Sequence, residues 1–416
     1  MPIASNLAIR HNNITFSGYF NKDLLLRSSI ELETIISQGH KSINIDLKDL
    51  TKCFASAILP FAVNCRALLL SGIDIRLELP SDPQLSRLFK NCNWAHLIDP
   101  RQYDPSDFES AYHVPALTYR NAQEHLVVVD QIVDRLLASL PGFTRDQLAA
   151  LEWAINEITD NVLNHARSSV GGVVQFTAMK NSKMVEFVVC DSGDTIPGTL
   201  RETHQHITSD AEALDRAIRE GVTRNSATNM GNGLFGSYRL AQLSEGFFSI
   251  YSRHAYLEFN PKKKGMHVQS QAVPYRGALI VCAINTTNPG ILEEALSFRG
   301  ERHTPAYTYV DRLTQNDVVK IVLRSECRSF GSREVARPIR TKMMNLISAS
   351  RAPIEVVLDD VPLISSSFAD EVFGKLFAEL GPISFMARIQ LVGGNKVVRQ
   401  LIDRAITQRL ALVGRS

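Results

Sequence analysis

Between residues 156 and 236 three polar segments interrupt an otherwise apolar, periodic chain, and each falls at a different kind of junction. The first is Asn156-Glu157-Ile158-Thr159-Asp160-Asn161-Val162-Leu163-Asn164-His165-Ala166. Around it Leu151, Ile155, Ile158, Val162 and Leu163 recur at helical spacing, which predicts a helix over 145–166 with one face in a core. Thr144 is suited to cap its start. Glu157 and Asn161 then share another face, one turn apart. The second segment, Asp191-Ser192-Gly193-Asp194-Thr195-Ile196-Pro197, follows the run Val185 to Cys190, which reads as a buried strand. The third, Gly231-Asn232-Gly233-Leu234-Phe235-Gly236, runs into an apolar helix and follows a polar, small-residue stretch at 221–232 that reads as a mobile loop.

Each segment offers chemistry. A carboxylate one turn before a carboxamide suits a magnesium–nucleotide site: the amide oxygen of Asn161 is a hard ligand for Mg²⁺, and Glu157 can orient or deprotonate a nucleophile. A carboxylate at a strand end beside a glycine turn is an aimed acceptor, able to read an adenine amino group through Asp191. Glycines leading into a helix let backbone amides approach phosphates. Taken singly, each has a plain alternative: a solvated helix face, an Asp-Gly turn and a surface loop. The pattern G-x-G-x-x-G also fits a dinucleotide fingerprint, but residues 223–230 are too polar to be the strand that such a fingerprint requires. No lysine strand of the kinase type follows.

In order and spacing together, the three segments resemble the N, G1 and G2 boxes of the GHKL ATPases. That family includes gyrase, histidine kinases, the mismatch-repair ATPase and the anti-sigma-factor kinases. The resemblance covers residues 121–287 and implies a Bergerat-type α/β sandwich that binds ATP with Mg²⁺. It implies that Asn161 holds the metal, that Asp191 reads adenine and that Gly193 lines the adenine pocket. Gly231, Gly233 and Gly236 would shape a lid over the phosphates, and Glu157 would stand where some members keep a general base. Thr195 departs from the family by replacing a second glycine. The stretch Phe143 to Ala166 resembles the anti-sigma-factor-kinase branch more than gyrase.

The flanks add two smaller α/β blocks. In the first, 42–47 and 73–79 read as strands around an apolar helix at 55–71, followed by a short helix at 82–91 and a linker at 99–107. This block resembles a STAS domain, with Ser56 near the place of a phosphorylatable serine. In the last block, strands at 318–323, 354–358 and 389–392 alternate with helices at 332–348, 368–380 and 396–409. It resembles a STAS-like family of unassigned function, with Ser365, Ser366 and Ser367 at a helix start and Ser367 with Asp370 reading as a capping-box variant. The expected division is a STAS-like domain at 1–115, the ATP-binding domain at 116–300 and a second STAS-like domain at 301–416.

Composition sets the remaining bounds. Lys+Arg minus Asp+Glu is 45 − 43, or +2, and the run Lys262-Lys263-Lys264 reads as a solvated loop, so nucleic acid is not the expected partner. The six cysteines form no C-x-x-C pair and read as reduced core thiols. No apolar run is long enough for a membrane span, and the first residues do not read as a signal peptide, so the expected location is cytoplasmic. The expected role is an anti-sigma-factor-kinase-like ATPase or Ser/Thr kinase switch acting on a protein partner through its STAS-like modules, with a homodimer also compatible. Two alternatives stand beside it: a scaffold that nucleotide only stabilises, and a sensor histidine kinase, for which His125 is the candidate phosphoacceptor.

Overall fold

The computed structural model describes residues 5–108, 110–219, 233–263, 265–287, 297–298, 301–302 and 308–413. The chain divides into two compact units. One comprises Met1–Gln131 and Trp153–His303, and the other Ile132–Glu152 and Thr304–Ser416.

The first unit opens with β1 (Asn6–Arg10) and β2 (Asn13–Phe20), paired antiparallel about a turn in which His11 takes φ 55°. Helix α1 (Lys22–Ser37) follows, its N-cap Asn21 accepting from the backbone N–H of Leu24. Next come β3 (Ser42–Cys53), α2 (Ala55–Leu70), β4 (Asp74–Glu78), α3 (Pro83–Asn91) and α4 (Trp94–Ile98). β3 pairs parallel with β2 and with β4, so the sheet order is β1-β2-β3-β4. The alternation in β2 and β3 sends Ile14, Phe16, Ile43 and Ile45 into the core.

The same unit then builds a larger antiparallel sheet of order β5-β6-β7-β9-β8 from β5 (His113–Tyr119), β6 (Gly172–Met179), β7 (Met184–Cys190), β8 (Phe247–Asn260) and β9 (Gly265–Asn285). Helix α5 (Ala122–Ser139) starts in this unit and α6 (Arg145–His165) ends in it, while α7 (Ile196–Thr203), α8 (Asp210–Ala217) and α9 (Gly233–Leu243) lie wholly within it. Leu279 through Ile284 are all buried, so β9 has an apolar neighbour on both faces. On one face, Val173, Val188, Cys190, Leu279 and Val281 join a single core with Phe61, Cys65 and Trp94 of the first block. A hydrogen bond from Trp94 Nε1 to Gln175 Oε1, 2.7 Å, satisfies the indole N–H inside that core. The α/β sandwich expected around the three boxes is present, with the smaller sheet's helices α1 and α2 packed on it.

In the second unit, β12 (Thr314–Gln315) and β13 (Val318–Val322) form an antiparallel pair, and β13, β14 (Ile354–Val357) and β15 (Ile389–Val392) pair parallel. Helices Arg333–Ala349, 366–380 and Lys396–Val413 complete it. A short antiparallel pair, β10 (Ser297–Phe298) and β11 (Glu301–Arg302), precedes it in sequence. The segment 132–152 is fixed into this unit by buried polar groups. Asn345 Nδ2 donates to the carbonyls of Leu137 and Leu140 at 2.7 and 2.8 Å, and its Oδ1 accepts from Gly142 N at 3.0 Å. Glu152 accepts from Tyr309 N at 2.9 and 2.8 Å. The serine run departs from expectation. Ser365, not Ser367, is the N-cap, accepting from Phe368 N at 3.0 Å. Asp370 does not close a capping box. Its carboxylate is taken by Arg409 at 2.7 and 2.8 Å and by Arg333 at 3.1 Å, at the start of a π-helical turn, Asp370–Gly374, inside the helical run.

Candidate functional site

Helix α6 begins with a reciprocal cap, Thr144 N donating to Gln147 Oε1 at 2.9 Å and Gln147 N to Thr144 Oγ1 at 3.4 Å. Leu151, Ile155, Ile158 and Val162 are buried, as the helical spacing requires. That sets the rotation of α6 and with it the positions of Glu157 and Asn161, both half-buried. Burial, with a smaller contribution from the Asp160 charge, raises the Glu157 carboxyl to about 7. Asn161 Nδ2 is buried and has no hydrogen-bond partner among the described residues. A buried amide left this way costs free energy unless something absent from the chain itself completes it.

Thr159, between these two residues, anchors the helix. Its Oγ1 donates to Ile155 O at 2.6 Å and lies 2.6 Å from His125 Nε2, and its carbonyl accepts from Tyr119 Oη at 2.8 Å. Tyr119 can lie there because Gly172 has no side chain: a Cβ at that position would stand 2.2 Å from the ring. His125 is only 8% exposed and is committed to this contact, which removes the solvent access a phosphoacceptor histidine needs.

Asp191 ends β7 and is 1% exposed. Its Oδ1 accepts from Gly193 N at 2.8 Å, while burial dominates and pushes the carboxyl up to about 7. Two glycines permit this turn. A Cβ on Gly193 would lie 1.9 Å from Ala166 O, and one on Gly277, at φ +75°, would lie 2.5 Å from Asp191 Oδ1. The turn after Asp191 therefore rests directly on the end of α6. Thr195, where the resemblance led to a glycine, is the N-cap of α7 and accepts from Gly198 N at 3.2 Å. Ser252, fully buried on β8, ties this loop to the sheet: it accepts from Ile196 N at 2.9 Å and donates to Gly277 O at 2.6 Å. Neither Ser252 nor Tyr119 stood out in the sequence, because a lone serine or tyrosine in a strand carries no spacing signal.

Gly233 and Gly236 are buried in the first turn of α9, and Ser237 Oγ donates to Gly233 O at 2.9 Å. Gly233 lies against Glu157, so the first and third segments meet. Gly231 and the proposed lid at 221–232 lie outside the described residues.

Residues 119–243 match the histidine kinase-like ATPase domain family, and residues 335–399 match a STAS-like domain family of unknown function. No curated protein matches the chain. The chain thus carries a GHKL-like ATPase domain and a C-terminal STAS-like domain, the pairing of a regulatory ATP-binding protein. No helix among the described residues is long and apolar enough to cross a membrane.

Proposed function

We propose that the chain is an ATP-dependent regulatory switch of the anti-sigma-factor-kinase type, in which nucleotide bound beside α6 governs a protein partner held by STAS-like modules. The observation that carries this reading is the buried Asp191 carboxylate at a glycine-only turn resting on the helix that bears Glu157 and Asn161. Adenine offers an amino donor that such an acceptor can read, each charged hydrogen bond contributing roughly 1.5–3 kcal/mol.

The residues fit the nucleotide and its metal. Asn161 would take Mg²⁺ through its amide oxygen, its Nδ2 being buried without a partner among the described residues, and Gly193 and Gly277 let the Asp191 turn pack closely against Ala166 and β9. Bound Mg²⁺ supplies charge neutralisation at phosphate oxygens. Glu157, with a carboxyl raised to about 7, can hold or release a proton at neutral pH, which suits a base acting on water or a hydroxyl. Gly231, Gly233 and Gly236 would form the phosphate-covering segment.

The chain is read as three modules, 1–115, 116–300 and 301–416. Support for a STAS-like first module comes from topology. Its sheet and the C-terminal sheet share one plan: an antiparallel pair, then two parallel strands reached through helices. In that plan the helix after β3 corresponds to the helix that Ser365 caps, so Ser56 and Ser365 to Ser367 occupy like places as candidate phosphoacceptors. Six buried free thiols suit a reducing, cytoplasmic setting. Burial of His125 weighs against the sensor-kinase alternative.

Calorimetry with Mg·ATP, followed by product analysis, tests the reading. Binding with release of ADP, or phosphate on one of those serines, supports the switch. Binding without turnover favours the scaffold alternative, and no adenine-nucleotide binding refutes both.

A further inference from the structure

A cavity lies apart from Glu157, Asn161 and Asp191, none of which lines it. Its volume is about 480 Å³, within the range that holds small organic ligands, and α2, α4, β5 and α5 wall it. Arg66 of α2 and Arg120, just after β5, both line it. Arg66 is half-buried and makes no ion pair or hydrogen bond among the described residues. Among the described residues the guanidinium of Arg120 has only a long contact, Nε to Val170 O at 3.4 Å. The two cations are close enough that, after burial, the Arg120 charge is what lowers the Arg66 pKa.

Glu124 is the sole carboxylate among the described residues that line it, and it is already engaged. Its Oε2 accepts from Arg120 N at 2.8 Å and its Oε1 from Asn121 Nδ2 at 2.8 Å, so it caps the start of α5. Two guanidinium groups converging on one cavity repel each other and lack the bidentate acceptor that their geometry favours. Leu97 and the half-exposed Val127 add an apolar wall.

We infer that this cleft binds a small organic anion, with a phosphate, sulfonate or carboxylate head placed between Arg66 and Arg120 and an apolar body against Leu97 and Val127. The site is separate from the nucleotide site but adjoins its support: His125, on the α5 wall beside Glu124, contacts Thr159 on the helix that carries Glu157 and Asn161.

Fluorescence titration of the full chain with 1-anilinonaphthalene-8-sulfonate, in saturating Mg·ATP, tests the site. Saturable binding at one equivalent is expected. Arg66→Met and Arg120→Met should each weaken it about tenfold, in line with loss of one charged hydrogen bond. Arg66→Lys should recover most of the loss, and Val127→Glu should weaken binding without touching either arginine. Arg87→Met, on the exposed side of α3, should change nothing, and melting by circular dichroism verifies folding of every variant. Non-saturable binding, affinities within twofold of the parent in both Met variants, or an equal loss in Arg87→Met would each overturn the assignment.

Discussion

The carboxylate of Glu157 and the backbone of Gly233 are in direct contact: a Cβ built on Gly233 would stand 2.4 Å from Glu157 Oε2 and 3.0 Å from Glu157 Cβ. Alanine in place of glycine normally adds up to about 1 kcal/mol in a helix interior and less at a first position such as Gly233. Here overpacking, at about 1–3 kcal/mol, should outweigh that gain. Gly233→Ala is therefore expected to lower the thermal midpoint and to slow any nucleotide turnover. A raised midpoint in a differential scanning measurement would show that Glu157 moves aside freely.

Asp191 links stability to function through its proton. Its carboxyl titrates near 7 in the folded chain and near 3.9 when unfolded, so the folded form holds the proton more tightly. Stability from this group is then largest in acid and falls as pH rises from about 4 to about 7. Asp191→Asn removes the titration and keeps an acceptor for Gly193. The nucleotide-free variant should melt higher than the parent at pH 8, with the gap closing near pH 4. Its affinity for ATP should drop at least about tenfold, because the amide can present a donor where an acceptor is required. Parallel melting and calorimetry at the two pH values check both signs.

Glu157→Gln separates gripping from chemistry. ATP affinity should hold within a few-fold, while turnover falls by about 10²–10⁴, the range for a positioned base. In the parent protein the rate should rise with pH through about 7 as the carboxyl loses its proton. That limb should vanish from the residual rate of the variant. A pH profile that is unchanged by the substitution would assign the base elsewhere.

Ser252 makes a different kind of claim. Removing its hydroxyl orphans both Ile196 N and Gly277 O inside the protein. Ser252→Ala should cost about 1–3 kcal/mol in urea unfolding and loosen the turn around Asp191, weakening ATP. Loss of stability with unaltered affinity would confine Ser252 to the fold.

Much of the site is legible in the sequence because it depends on local pattern. The 3.6-residue apolar spacing locates α6 within a residue of its expected end, and the apolar run before Asp191 locates β7. What is not legible depends on distant partners. No element is expected before residue 42, yet β1, β2 and α1 form there, their apolar residues packing with those of β3 and α2. The segments expected as separate strands at 246–251 and 256–259 are one strand, β8, since pairing with β9 carries it through two irregularities near Arg253. Ser367 looked like a cap by spacing, but arginines from two other helices claim Asp370 first.

The shared core beneath β7 and β9 has a consequence for how this protein can be dissected. A fragment cut at residue 119 would keep its boxes but bare the Val188, Cys190, Leu279 and Val281 face that Phe61 and Trp94 otherwise seal. Contiguous apolar surface of that kind invites self-association. The stretch before the ATPase domain is thus no detachable appendage but half of its hydrophobic seal, and expression boundaries chosen from domain matches alone should give aggregates where the intact chain stays dispersed.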